Sequence, residues 1–210
     1  MASIMGGRVL ILVVVITLLL LPVNSVDSFP NGVGSVGNDG CLCHGEGNSA
    51  TKITIDGIPT KFEANQSYNL TLTLENEEIE PADSEAQGGF RIILDGGSLN
   101  FTEEKAIYLE GGWTHQESGN KQRSWQFTWQ SPDDNTSMSK FTILGNAVNG
   151  NGYSSGDNWY SMEIYVPGMQ NFEPVPNQLK VKHELEVFDK IMLFSGLAIL
   201  LFICFRVIRN

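Results

Sequence analysis

Tyr68-Asn69-Leu70-Thr71-Leu72-Thr73-Leu74 is the stretch that decides the fold class. Large apolar side chains fall on every second residue, and Asn or Thr fills the positions between. A period of two puts the apolar set on one face of a pleated strand. The same alternation recurs on both sides. Ile53 and Ile55 alternate with Thr, and Trp125, Phe127 and Trp129 alternate before the turn Ser131-Pro132-Asp133-Asp134. Met162, Ile164 and Val166 alternate within Trp159 to Val166. Phe90 to Leu94 and Phe141 to Leu144 are shorter apolar runs of strand type. No amphipathic helix is legible among them. Short strands parted by turn signals predict an all-β, antiparallel, Ig-like β-sandwich over 51–166. A domain of that length buries a core without help from metal or disulfide. Trp125, Phe127 and Trp129 are expected in that core, because their alternation gives them one face.

The two ends carry different signals. Arg8 precedes an unbroken apolar run from Val9 to Leu21, which Pro22 ends, and Val23-Asn24-Ser25 supplies small or modest residues for cleavage. The run is short for the roughly 20 residues that span a bilayer. Residues 1–25 are therefore expected to be a signal peptide, with a retained anchor as the alternative. Near the other end, Ile191 to Phe205 is wholly apolar or small, and its flanks extend the run to 187–208. That length predicts one transmembrane helix followed by a cytoplasmic stub, 209–210. Arg206 and Arg209 suit the inner side and argue against a cleaved lipid-anchor signal, whose tail stays hydrophobic. Pro167, Pro174 and Pro176 mark 167–186 as a stalk. The expected location is the cell membrane, single-pass, with the bulk of the chain extracellular.

A formal net charge of −11 is a poor fit to nucleic acid, whose phosphates want Lys and Arg. It suits an acidic, soluble exterior. Four sequons, at Asn65, Asn69, Asn100 and Asn135, agree with export and mark the chain as a candidate glycoprotein.

Residues 26–50 form a Gly-rich leader with many turn signals and no periodicity, so something else must hold it. The Cys41-Leu42-Cys43-His44 element inside it is the obvious candidate. This leader carries Asp39-Gly40-Cys41-Leu42-Cys43-His44-Gly45, and the Tyr68-x-Leu70-x-Leu72 strand start follows. Then come Gly88-Gly89-Phe90, the Trp125-to-Pro132 strand end, Gly145-Asn146-Ala147-Val148-Asn149-Gly150 and Ser155-Gly156-Asp157. In that order the pieces resemble the Reelin-like (Reeler) β-sandwich group, and most nearly its prokaryotic "choice-of-anchor" branch, over about 36–166. The resemblance implies an extracellular β-sandwich and no settled activity.

The Cys-His element admits three readings. In c-type attachment two thiols of Cys-x-x-Cys-His add to haem vinyl groups and the His ligates iron. Here one residue fewer separates Cys41 from Cys43, which strains a double attachment and leaves a single thioether through Cys43, or none. His115, the other His of the folded domain, is the candidate second iron ligand. Alternatively, Cys41, Cys43, His44 and His115 form a zinc site. The third reading is a strained disulfide between Cys41 and Cys43, serving as a clip or a redox couple. Asn146, Asn149 and Asp157, in the Gly/Asn stretch 145–158, offer oxygen ligands of the kind calcium takes, and equally the residues of an ordinary turn. No catalytic constellation is legible, so the expectation is a non-enzymatic surface binding module. Its partner would be an extracellular protein or a glycan. The alternative is a membrane-tethered redox carrier with its own redox partner.

Overall fold

A computed structural model describes residues 29–44, 47–81, 86–101, 104–153, 155–176 and 187–209. The expected signal peptide 1–25 and the second half of the expected stalk lie outside the described residues. Among the described residues nine strands run in chain order: β1 Thr51–Asp56, β2 Ser67–Asn76, β3 Gly88–Asp95, β4 Ser98–Asn100, β5 Ala106–Leu109, β6 Gly112–His115, β7 Ser124–Gln130, β8 Met138–Ala147 and β9 Asn158–Pro167. They form a four-stranded sheet, β1-β2-β7-β4, and a five-stranded sheet, β5-β6-β3-β8-β9. Every strand pair is antiparallel. The chain crosses between the sheets repeatedly, as in Ig-like sandwiches.

Register explains why the alternating stretches build one core. Leu70 pairs with Phe127, Leu72 with Trp125 and Tyr68 with Trp129, so the apolar faces of β2 and β7 coincide. On the facing sheet Ile92 pairs with Ile143, and Leu94 with Phe141. Phe141 in turn pairs with Ile164. Trp129 lies fully buried between Phe62 and Phe141, its ring centroid 5.6 Å and 5.1 Å from theirs in edge-on contacts. Phe90 meets Trp125 at 4.9 Å, which ties the sheets at the other end of the core. Each such buried side chain contributes about 1.5–3 kcal/mol. Gly145 sits opposite Phe90 where a side chain would collide with Leu74 of the facing sheet.

The structure departs from the sequence expectation in three places. Strands β4, β5 and β6 lie between the predicted ones, each only three or four residues long, too short for a period to show. Gly145, Asn146 and Ala147 belong to β8 rather than to a loop, paired with Phe90, Gly89 and Gly88. Residues 167–171, expected in the stalk, bond to the sandwich instead. Pro167 still pairs with Met138, Met169 N donates to the Phe62 carbonyl, and buried Asn171 donates to the Thr136 carbonyl at 2.7 Å. These bonds close the base of the sandwich.

The second unit described is a single helix, α1, Val187–Arg209. Its segment Lys190–Val207 is long and apolar enough to cross a membrane.

Candidate functional site

Strand alternation turns Gly89 and Arg91 of β3, Leu144 and Asn146 of β8, and Trp159 and Ser161 of β9 away from the core. All of them are nevertheless buried. The leader packs on this outer face of the five-stranded sheet. Gly40 rests against the Trp159 indole so closely that a Cβ there would overlap the ring, and its φ of +116° is one that L side chains rarely adopt. Gly47 lies on the same indole.

Arg91 is the residue that holds the leader. Its Nε donates to Asn38 Oδ1 at 2.5 Å, and its Nη1 to the Val33 carbonyl at 2.8 Å and the Leu109 carbonyl at 3.1 Å. Its Nη2 donates to the Glu110 carbonyl at 2.9 Å. Only 1% of Arg91 is exposed, so these acceptors stand in for water around a buried cation. Burial pulls its pKa below the usual range, while the Glu110 carboxylate pulls it back up. That carboxylate accepts both the backbone N–H and the hydroxyl of Ser35 at 2.7 Å, and these bonds hold its pKa below the usual range. Val33 N donates to Thr114 Oγ1 at 3.1 Å. The leader is thus fixed by Arg91, Thr114, Glu110 and Trp159, contacts that stand beside the expected Cys-His element. The available sequence signal was a lone cation inside Gly-Gly-Phe-Arg-Ile-Ile-Leu: a charge in a strand buried on both faces needs a set of acceptors.

The Cys-His element lies in a short 3-10 turn, Leu42–His44, closed by His44 N donating to the Cys41 carbonyl at 2.8 Å. Cys41 and Cys43 are both free thiols. Cys43 is exposed, whereas Cys41 is half-buried and its desolvated thiol, with Cys43 beside it, is pushed up to about 12. Cys41 is thus a protonated packing thiol and a poor nucleophile. His44 Nδ1 lies 2.8 Å from Asp157 Oδ2, with the His44 side chain 19% exposed and that of Asp157 1% exposed. Asp157 Oδ1 accepts Asn149 N at 3.0 Å. Both Asp157 oxygens therefore serve the loop and His44.

His115 sits over Gly89 with Nδ1 3.2 Å from Phe90 N and 3.4 Å from the Phe90 carbonyl oxygen. Burial holds its pKa low, opposed by hydrogen bonding to the Phe90 and Phe29 backbone and aided slightly by the charge of His44. Its ring is engaged by the fold rather than displayed. Among the described residues, no three His, Cys, Asp or Glu side chains gather into a metal-binding group. Of the residues expected for calcium, Asn149 and Asp157 share the β8–β9 loop, where Asn149 Oδ1 accepts Asn151 N at 3.0 Å. Asn146 lies in β8, and its buried Oδ1 has no partner. Asn65, Asn69 and Asn100 are exposed and Asn135 is half-buried.

A cleft that the sequence reading missed opens where the edge strands β4 and β5 face each other across the sandwich. It has a volume of about 340 Å³ and is walled by Ile92, Leu94, Leu99, Tyr108 and Trp113. Tyr108 is 59% exposed and meets Trp113 edge-on at 5.8 Å. The backbone of Gly111 and Gly112 also lines it. Arg91 binds the carbonyls of Leu109 and Glu110 in this same hairpin, so one buried cation braces both the leader and a cleft wall.

No family model and no curated protein matches the chain. Among solved structures it is similar to the human F-spondin reeler domain, at 15% identity, over 58% of this chain and 91% of that one, with a TM-score of 0.37. A conjugative transposon lipoprotein from Bacteroides eggerthii is similar at 14% identity over 57% and 98% of the two chains, TM-score 0.37. A cohesin module of a Clostridium perfringens family 33 glycoside hydrolase is similar at 12% identity over 58% and 97%, TM-score 0.30. The two-sheet architecture rests on the strand pairing itself.

Proposed function

We propose that the chain is a membrane-anchored surface module that binds an extended segment of an extracellular protein at the cleft between β4 and β5. The cleft carries this reading. It combines an apolar floor of Ile92, Leu94 and Leu99 with the exposed ring of Tyr108. Both flanking strands are sheet edges, whose unpaired backbone groups accept a further strand. An extended peptide laid along one edge would place one apolar side chain in the cleft and gain main-chain hydrogen bonds beside it. The strong acidity of the chain favours a partner with Lys or Arg flanking that anchor. Helix α1 would keep the module at the bilayer.

The test is binding of the full chain, in detergent, to an array of extended basic-apolar peptides and to a glycan array. Peptide binding that disappears in Leu99→Lys and in Tyr108→Ala supports the reading. Glycan binding alone, or peptide binding that both variants retain, overturns it.

A second reading, a tethered electron carrier built on Cys41, Cys43 and His44, is favoured by one observation, the 2.8 Å contact of His44 with the buried Asp157 carboxylate.

A further inference from the structure

We propose that Cys43 and His44 form the attachment site of one iron porphyrin, joined by a single thioether at Cys43 and ligated through His44 Nε2. The inference deepens the electron-carrier reading and rests on it. Three observations carry it.

The first is the orientation of His44. Its Nδ1 faces Asp157 Oδ2 at 2.8 Å, so Nε2 is the nitrogen left to ligate. The carboxylate is itself held in place, since its other oxygen accepts Asn149 N at 3.0 Å. A carboxylate behind an imidazole is how proteins fix the tautomer and raise the basicity of a metal-binding His. The side chain is still 19% exposed, so the outward nitrogen is approachable.

The second is the difference between the thiols. Cys43 is exposed and adjoins His44 in the same 3-10 turn. Cys41 adjoins Gly40, which packs on Trp159, and its thiol is desolvated. One residue between the cysteines also gives too short a loop for both sulfurs to meet the two vinyl groups of a porphyrin. One thiol is presented, and one thioether forms.

The third is the number of donors. Asp157 is taken up by His44 Nδ1 and Asn149 N, and among the described residues no three His, Cys, Asp or Glu side chains gather into a metal-binding group. A bare ion such as zinc wants three or four protein ligands, a set that the described residues do not gather. A porphyrin brings four nitrogens of its own and asks the protein for one axial ligand. It also asks for apolar surface, and Leu42 and Val36 of the leader are 58% and 68% exposed.

The attachment balances without an added oxidant or reductant. The Cys43 S–H adds across a vinyl C=C, so one S–C bond forms. The thiol proton ends on the other vinyl carbon, and the iron keeps its oxidation state.

The test uses the full chain, exported in a host that attaches haem and then solubilised in detergent. The expected result is a Soret band with a sharp reduced α-band, and haem that stays with the polypeptide through denaturation. Cys43→Ser should lose the denaturation-resistant haem, His44→Ala should lose the axial-ligand spectrum, and Cys41→Ala should keep both. Asp157→Asn should keep the covalent haem and raise its reduction midpoint, a shift that a merely structural Asp157 would not give. Near-UV circular dichroism establishes that each protein is folded, and His44→Gln replaces His44→Ala if that variant is not. A colourless, folded wild type overturns the inference, as does haem retained by Cys43→Ser and lost by Cys41→Ala. A colourless chain whose two thiols cycle reversibly with a dithiol reductant ends the porphyrin proposal and leaves the electron-carrier reading on the thiol pair.

Discussion

The two faces of the five-stranded sheet are both buried, but by opposite means. The inner face packs Phe90, Ile92, Phe141 and Ile143 against the aromatic wall of the other sheet. The outer face packs an irregular leader against Trp159 and fixes it with hydrogen bonds from Arg91 and Thr114. Apolar packing is non-directional and needs only volume and pattern. A hydrogen-bonded cover is directional, because each Arg91 bond demands one backbone carbonyl in one place. The outer face therefore gives up apolar area and gains a fixed register for the leader. That register places His44 on Asp157, and the same Arg91 braces the hairpin beside the cleft.

The largest expected effect comes from breaking the inner face. Trp129→Ala removes the ring that touches Phe62, Tyr68 and Phe141. It should cost about 3–5 kcal/mol in denaturant unfolding. The outer face should break more locally. Arg91→Met keeps much of the volume but orphans the carbonyls of Val33, Leu109 and Glu110, for a loss of about 2–3 kcal/mol. Limited proteolysis should then cut within 29–48 before the sandwich unfolds, whereas in Trp129→Ala leader and sandwich should open together. Arg91→Lys should recover only part of the loss, since an ammonium lacks the guanidinium's fork. If the Arg91→Met leader resists protease as wild type does, the contrast between the faces fails.

The facing wall of the core, in the four-stranded sheet, was legible in the sequence because its period is local. Tyr68 to Leu74 and Trp125 to Trp129 announce their face within seven residues, and the helix 187–209 announces itself by length. The outer face was not legible, because it depends on pairs far apart in the chain. Arg91 meets Asn38 and Val33 more than fifty residues away, and His44 meets Asp157 at a separation of 113. No local pattern encodes such pairs. Trp159 shows the difficulty well. It opens a strand whose Met162, Ile164 and Val166 face inward, yet it points outward and is buried by a segment with no periodicity. The candidate site was found as a list of reactive residues, while its geometry came only with the fold. Asp157, legible only as a turn residue or an oxygen ligand, faces a histidine 113 residues away, and the cleft lies among three short strands that carry no legible period.

A milder substitution tests the outer face without touching its hydrogen bonds. Gly40→Ala puts a methyl group into the Trp159 ring at a φ of +116°. Strain and overlap together should cost about 1–2 kcal/mol. The leader should lift at residue 40 while Arg91 still holds residues 33–38, so tryptophan emission should shift to the red with little change in unfolding cooperativity. An unshifted emission would mean that the Trp159 contact does not set the leader's position.

The smallest expected effect is a pH dependence, and it separates the faces by charge. Burial holds the pKa of His115 below its ordinary 6.5, and the charge of nearby His44 adds to this, against hydrogen bonds from the Phe90 and Phe29 backbone. The unfolded chain therefore takes up a proton on His115 at a pH where the folded chain does not. Stability from the neutral ring is fully present above about 6.5 and is lost as the pH falls below it. Glu110, Asp134 and Glu163 have pKa values held below the ordinary range, so their contributions are lost only at lower pH, through and below the carboxylate range. Denaturant midpoints measured from pH 7.5 down to about 5 should fall for the wild type. They should fall less for His115→Gln, which keeps a polar side chain and cannot take the proton. His44→Gln is the companion control, because it removes the neighbouring imidazole, the smallest cause of the His115 shift, and should leave most of the slope in place. Equal slopes in wild type and His115→Gln would place the acid sensitivity elsewhere.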